Sequence, residues 1–236
     1  RAYSRLWKER VFEDSIEVGC MGFSPDGRFL VCGGETGVCV CWKWDVSNRT
    51  VVSLLSHPCL CRWQAHEEAV ISGPAFSEDA RVFVTGSWDN SLRLWNVSTT
   101  LIDPRDAIRG GDDDDGLMIA PTPLATVVGY KGWMKCSAIT GGVRGGRVAV
   151  GIEDGSVHVY SIKDLVGNVE GLLVDAAGAA TSAAAEESET QSASVVVISS
   201  DRSIQCGEPA YRHSGAVNAV EFGLGGDIVA SCSDDA

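Results

Sequence analysis

Arg81-Val-Phe-Val-Thr-Gly-Ser-Trp-Asp-Asn-Ser-Leu-Arg-Leu-Trp-Asn-Val97 is the stretch that decides how this chain folds. Two apolar strands flank a polar turn carrying Asp89, and Trp95 follows that Asp by six positions. Related stretches recur at 29–46, 147–162 and 227–236. A pattern repeated at intervals means one small structural unit stacked several times. Around the clearest copy, the sequence predicts strands at 69–77, 81–87 and 92–97, with turns at Glu78-Asp-Ala80 and Trp88-Asp-Asn-Ser91. Strand alternation puts Leu92 and Leu94 on one face, and Arg93 and Trp95 on the other. Such an antiparallel meander cannot bury both faces alone, so neighbouring sheets must cover it.

The other units follow the same plan. The first turns at Ser24-Pro-Asp-Gly27 between a strand beginning near Ile16 and strands at 29–33 and 38–46. The third spans 124–162 and turns at Gly141-Gly-Val-Arg-Gly-Gly146 and Glu153-Asp-Gly155. The fourth starts near Tyr211, with strands at 216–222 and 228–233. Pro74 sits inside a strand and removes a ladder donor, which suits an edge strand.

These units resemble the WD-repeat β-propeller family. The resemblance rests on Trp44-Asp45, the Trp95-Asn96 variant, the Asp-bearing turns, and Ala65-His66 and Arg212-His213 where that family has Gly-His. The Gly86-Ser-Trp-Asp89 turn is similar to that of the receptor for activated C kinase and related ribosome-bound propellers, whose compact form the long insertions here do not match. The resemblance implies an all-β propeller, with about four blades present and the last incomplete, forming an arc of a larger, seven-bladed ring. A small closed ring is the alternative, with Ser4-Arg-Leu-Trp7 completing the last unit. The resemblance also implies a hydrogen-bonded set of His, Ser/Thr, Asp and Trp. Carried over by position, only the second unit supplies all four, as His66, Thr85, Asp89 and Trp95. The first unit offers Trp42 or Trp44, and the third replaces His with Tyr130 and Trp with Tyr160.

The expected blade units are 14–61, 62–123, 124–206 and 211–236. Asp89 and Asp154 lie 65 positions apart, and Asp154 and Asp234 lie 80 apart. The family period is roughly 40–45 residues, so insertions are expected. They fall at 98–123, with the acidic run Asp112–Asp115, and at 164–194. The second is rich in Ala, Ser and Glu, poor in large apolar groups, and expected to be largely disordered, with a short helix allowed in its Ala tract. The segment 195–206 regains strand character, as a degenerate hairpin or an outer strand of the third unit.

Composition sets the outer limits. The chain has 236 residues, 44% hydrophobic, with 27 Gly and 7 Trp, enough for a real core and many turns. No apolar run approaches the roughly 20 residues of a transmembrane helix, so no membrane span is expected. It begins at Arg1 and stops at Asp234-Asp-Ala236, where earlier units make their turn, and so reads as a fragment. A net charge of −13 opposes direct binding to nucleic acid. Nine cysteines form no small-domain disulfide framework and favour a cytoplasmic or nuclear location.

Chemistry-bearing constellations are few. His66 and Asp89 lack a Ser nucleophile on a strained elbow, so no hydrolytic triad is expected. His57-x-Cys59-x-Cys61 beside His66 matches no standard zinc spacing, and Asp112–Asp115 lacks the spaced ligands and Gly of a calcium loop. Gly141–Gly146 lacks the Lys-Ser/Thr ending of a phosphate loop. No cofactor or metal is therefore expected. Residues preceding each turn Asp should stand on the propeller rim: Trp88, Glu153 and Ser233. In the family pattern Trp133 occupies a similarly exposed entry position, and exposed Trp favours interfaces, with packing between blades as the alternative. Trp88, Trp133 and Glu153 are the expected partner-binding residues. The reading is a non-catalytic scaffold that assembles other proteins. Two alternatives stand beside it: a regulatory propeller of a larger enzyme, and a ligand-binding or enzymatic propeller using channel residues such as Glu17, Ser72 and Glu221.

Overall fold

The computed structural model describes residues 17–45, 50–52, 61–100, 122–167 and 203–235. The first sheet is an antiparallel run of β1 (Val18–Phe23), β2 (Phe29–Gly34) and β3 (Val38–Asp45). The far end of β3 pairs with β4 (Thr50–Val52), and its start pairs with β5 (Cys61–Gln64). The second sheet orders β6 (Val70–Phe76), β7 (Val82–Ser87), β8 (Leu92–Asn96) and β9 (Ala125–Val128). A third comprises β10 (Met134–Thr140), β11 (Arg147–Ile152) and β12 (Ser156–Ser161), and the fourth pairs β15 (Val217–Gly223) with β16 (Ile228–Ser233). Between them lie β13 (Ser203–Gln205) and β14 (Tyr211–Arg212). Short helices α1 (Val97–Thr100) and α2 (Ile162–Val166) follow β8 and β12, beginning at the residues where the sequence reading ended those strands.

The sheets exceed the three-stranded meander read from the sequence. β5, β9 and β14 each add a fourth strand beside the third strand of a sheet, with β13 flanking β9 on the second, and each of the three then leads into the innermost strand of the next. One segment thereby ties neighbouring sheets together. The innermost strands stand side by side, β1 against β6, β6 against β10, and β10 against β15. β6, which carries Pro74, is an edge strand. All four innermost strands have a β-bulge near their start, at Val18/Cys20, Val70/Ser72, Met134/Cys136 and Val217/Ala219. A bulge bends its strand and sharpens the local twist, so the same end of every sheet is shaped alike.

Cores form between sheets, as each unit's inability to cover itself requires. Trp63, Phe76, Phe83 and Trp95 pack with Val31, Cys39 and Val70 between the first and second. Leu92, Leu94, Met134, Val148 and Ile152 fill the second junction, and Ala149, Val157 and Val217 the third. Leu92 and Trp95 thus occupy opposite faces of β8. At the turns after β2 and β11, Gly37 and Gly155 have positive φ of 78° and 85°, and a Cβ on either would strike the carbonyl of His66 or His213. Glycine is therefore required by both conformation and space. The second unit places Asn90 in the same left-handed region, with φ 59°.

Register settles one open choice and corrects one expectation. Leu30 faces Trp42, as Phe83 faces Trp95 and Val148 faces Tyr160. Trp42, not Trp44, therefore holds the third-strand Trp position, because β3 continues past it to pair with β4. Ser203–Gln205 does not join the third sheet but runs parallel to β9 on the second. Residues 1–16, most of both insertions, Asp112–Asp115, the Ala tract, His57 and Cys59 lie outside the described residues.

Candidate protein-docking rim

Four polar side chains converge at one end of the second sheet. Thr85 lies mid-β7, Trp95 on the adjacent β8, Asp89 in the turn between them, and His66 in the loop before β6. The Trp95 Nε1–H donates to Thr85 Oγ1 at 2.8 Å, and Thr85 Oγ1 lies 2.8 Å from His66 Nε2. His66 Nδ1 lies 3.0 Å from Asp89 Oδ2. Thr85 has one proton, so a single polarity satisfies the whole chain: indole to hydroxyl, hydroxyl to Nε2, Nδ1–H to carboxylate. Asp89 also accepts the Ser91 hydroxyl at 2.6 Å and the Glu67 amide at 3.2 Å. Burial pushes the His66 imidazole below its ordinary value, against the pull of Asp89. Burial opposes charge on Asp89, yet the bonds from His66, Ser91 and Glu67 hold its carboxyl well below the usual range. A neutral His66 between fixed partners ties a loop to two strands.

The other sheets use substitutes at the same register. In the fourth, His213 Nδ1 reaches Asp235 at 3.2 Å and its Nε2 reaches Ser231 Oγ at 2.8 Å. In the third, the Tyr130 hydroxyl donates to Tyr160 at 2.8 Å, and His158 stacks on Tyr160 at 6.2 Å between centroids. Two phenols thereby replace a His–Thr–Trp relay, a change legible only as Tyr130 and Tyr160 standing where His and Trp belong.

Directly above these networks the sheets present a repeated rim. The amide of each second turn donates to the residue just before the innermost strand: Glu35 to Glu17 at 3.2 Å, Trp88 to Ala69 at 3.1 Å, Glu153 to Trp133 at 2.9 Å, and Asp234 to Ala216 at 3.2 Å. Asp234 replaces the expected Ser233 here, since Asp235 is the residue bound to His213. Trp88 and Trp133 come from neighbouring sheets and stack on each other, with ring centroids 5.0 Å apart and planes at 27°. They remain 38% and 43% exposed. Glu153 is exposed beside them. The sequence named all three residues, but nothing in it indicated that the two indoles touch.

The alternative constellations come apart. Ser72 is buried and donates to Ser137 at 2.9 Å, while Glu17 and Glu221 stand on the first and fourth sheets. The Gly-rich turn 141–146 directs its amides at carboxylates: Gly141 donates to Glu78 at 2.8 Å and Val143 to Asp79 at 3.0 Å. Cys61 Sγ donates to the Thr100 carbonyl at 3.6 Å. Among the described residues, no three His, Cys, Asp or Glu side chains are placed to hold a metal ion, and no helix is long and apolar enough to cross a membrane.

Repeated antiparallel sheets, a common bulge and the His–Thr–Asp–Trp relay define an arc of a β-propeller built from WD-type units. Residues 9–43 and 57–96 match the WD domain, G-beta repeat, and the chain is similar to WD-repeat proteins. It is 32% identical over 85 residues to a guanine nucleotide-binding protein subunit beta of Schizosaccharomyces pombe, covering 36% of this chain and 24% of that one. It is 29% identical over 108 residues to a ribosome biogenesis protein WDR12 homolog of Drosophila mojavensis, covering 46% and 23%. A chain in the crystal structure of a mitotic checkpoint complex superposes with a TM-score of 0.52 at 15% identity, over 94% of this chain and 46% of that one. This chain spans about a quarter of the length of these two curated relatives.

Proposed function

We propose that this chain is a non-catalytic platform that docks other proteins on its rim and so helps assemble a complex. One observation carries the reading: Trp88 and Trp133, on separate sheets, hold each other in a half-exposed stack. Large rigid aromatics that expose area without losing much side-chain freedom make strong interface anchors. The His–Asp pair beneath the rim supports a non-catalytic role. His66 and Asp89 are committed to Thr85, Ser91 and each other, leaving no free base beside a nucleophile. The relatives add support, since one is by name a subunit and another serves ribosome biogenesis. A cytosolic or nuclear setting belongs to the same reading, supported by eight described cysteines that form no disulfide among the described residues. The net charge of −13 supports proteins over nucleic acid as the partners.

The test is quantitative affinity capture from cell extract with the parent protein and with Trp88→Ala and Trp133→Ala. Specific partners should fall about tenfold or more, while the far-ultraviolet spectrum stays unchanged. Partner yields identical in all three proteins would remove the rim from consideration.

A further inference from the structure

We infer that the Trp88–Trp133 stack receives arginine or lysine side chains of a partner protein, with Glu67, Glu68 and Glu153 supplying the countercharge. This deepens the rim reading above and rests on it. The stack leaves indole surface open to solvent, and an indole face attracts a cation through its quadrupole. The backbone brings the three acidic residues to the segments that carry the stack. Glu67 and Glu68 lie in the loop before β6, where the Ser87 hydroxyl donates to the Glu68 carbonyl at 3.0 Å just ahead of Trp88. Glu153 is bonded through its amide to the Trp133 carbonyl, and its carboxylate lies 3.6 Å from where a Cβ on Gly132 would sit.

Charge around the stack is unbalanced. Asp89 is spent on His66, and Asp154 on Ser156 and Arg212. The side chains of Glu67, Glu68 and Glu153 make no hydrogen bond or ion pair among the described residues, and all three are exposed. Lys131 and Lys135 are the basic side chains on the same segments, one on each side of Trp133. Further along the same end, Glu17, Glu35 and Asp234 occupy the matching rim positions. An arc whose rim is acidic at each sheet attracts a cationic segment over distance and repels an anionic one. An acidic or purely apolar partner would gain nothing from this arrangement.

The probe is a Gly-Ser peptide with arginines at alternate positions, set against its glutamate counterpart, with binding read by indole fluorescence and calorimetry. The arginine peptide should bind, weaken as salt rises, and lose about tenfold in affinity with Trp88→Ala or Trp133→Ala. Glu153→Gln, an exposed and nearly isosteric change that leaves the fold intact, should weaken it about threefold. No binding, equal binding of both peptides, or arginine-peptide binding indifferent to Trp133→Ala and Glu153→Gln would overturn the inference. The two readings separate in the capture assay. If Trp-dependent partners are captured but the arginine peptide does not compete with them, the docking rim stands and cation recognition falls.

Discussion

Thr85 shows what a single position contributes here. Its oxygen takes the Trp95 indole proton and its own proton goes to His66, so a small buried residue completes two hydrogen bonds at once. Thr85→Val keeps the shape but leaves both partners unsatisfied. It should cost about 2 kcal/mol in urea unfolding, whereas an exposed change such as Glu153→Gln should register within about 0.5 kcal/mol. His66 adds a pH dependence. Its folded value lies below the ordinary 6.5, so the unfolded chain takes up the proton first and stability falls as pH drops below 6.5. His158, pushed down by burial, acts with the same sign. Asp89, also depressed, extends the loss below 3.8. The thermal midpoint should decline between pH 7.5 and 5.5, and His66→Gln should make that slope shallower without abolishing it. An unchanged slope in the variant would exclude His66 as a source. At this scale the sequence was most legible in the second unit, where all four relay residues match the family pattern. It was least so at Trp42, because two Trp residues a strand-step apart look alike until pairing chooses between them.

Elements hold one another through their turns as well as their faces. The turn between β6 and β7 grips the turn between β10 and β11: Glu78 Oε1 accepts from Thr140 at 3.2 Å and Gly141 at 2.8 Å, and Asp79 Oδ2 accepts from Val143 at 3.0 Å. Gly142 permits the approach, since a Cβ there would run into the Asp79 carboxylate. Asp79→Asn should cost about 1 kcal/mol, and Gly142→Ala at least as much, both measurable by chemical unfolding. At this scale the turn signals located most strands, because Gly, Asp and Asn at fixed offsets act locally. The outer strands β5, β9 and β14 were not assigned to the sheets they close. Each is short and is separated from its partner strand by intervening chain, so no local pattern joins the two.

Across the molecule, stability should be graded from the middle of the arc outward. β7 is buried throughout, whereas β16 alternates exposed and half-buried positions and shares its sheet with β15 alone. Amide exchange should therefore be slowest in β7 and β11, and faster in β16 on the order of 100-fold, a difference read by hydrogen–deuterium exchange. Equal protection in all four sheets would contradict a sheet-by-sheet hierarchy. What the sequence alone determined was the repeated unit and its turns, because each is written in short-range spacing and in hydrophobic alternation, while the residues of the second relay followed from the family resemblance. Only the tertiary structure decided which Trp of the first unit joins the series, which sheet receives residues 203–205, and that Trp88 and Trp133 meet. Those outcomes depend on strand register and on the packing of one sheet against the next, which link residues tens of positions apart and leave no local mark in the chain.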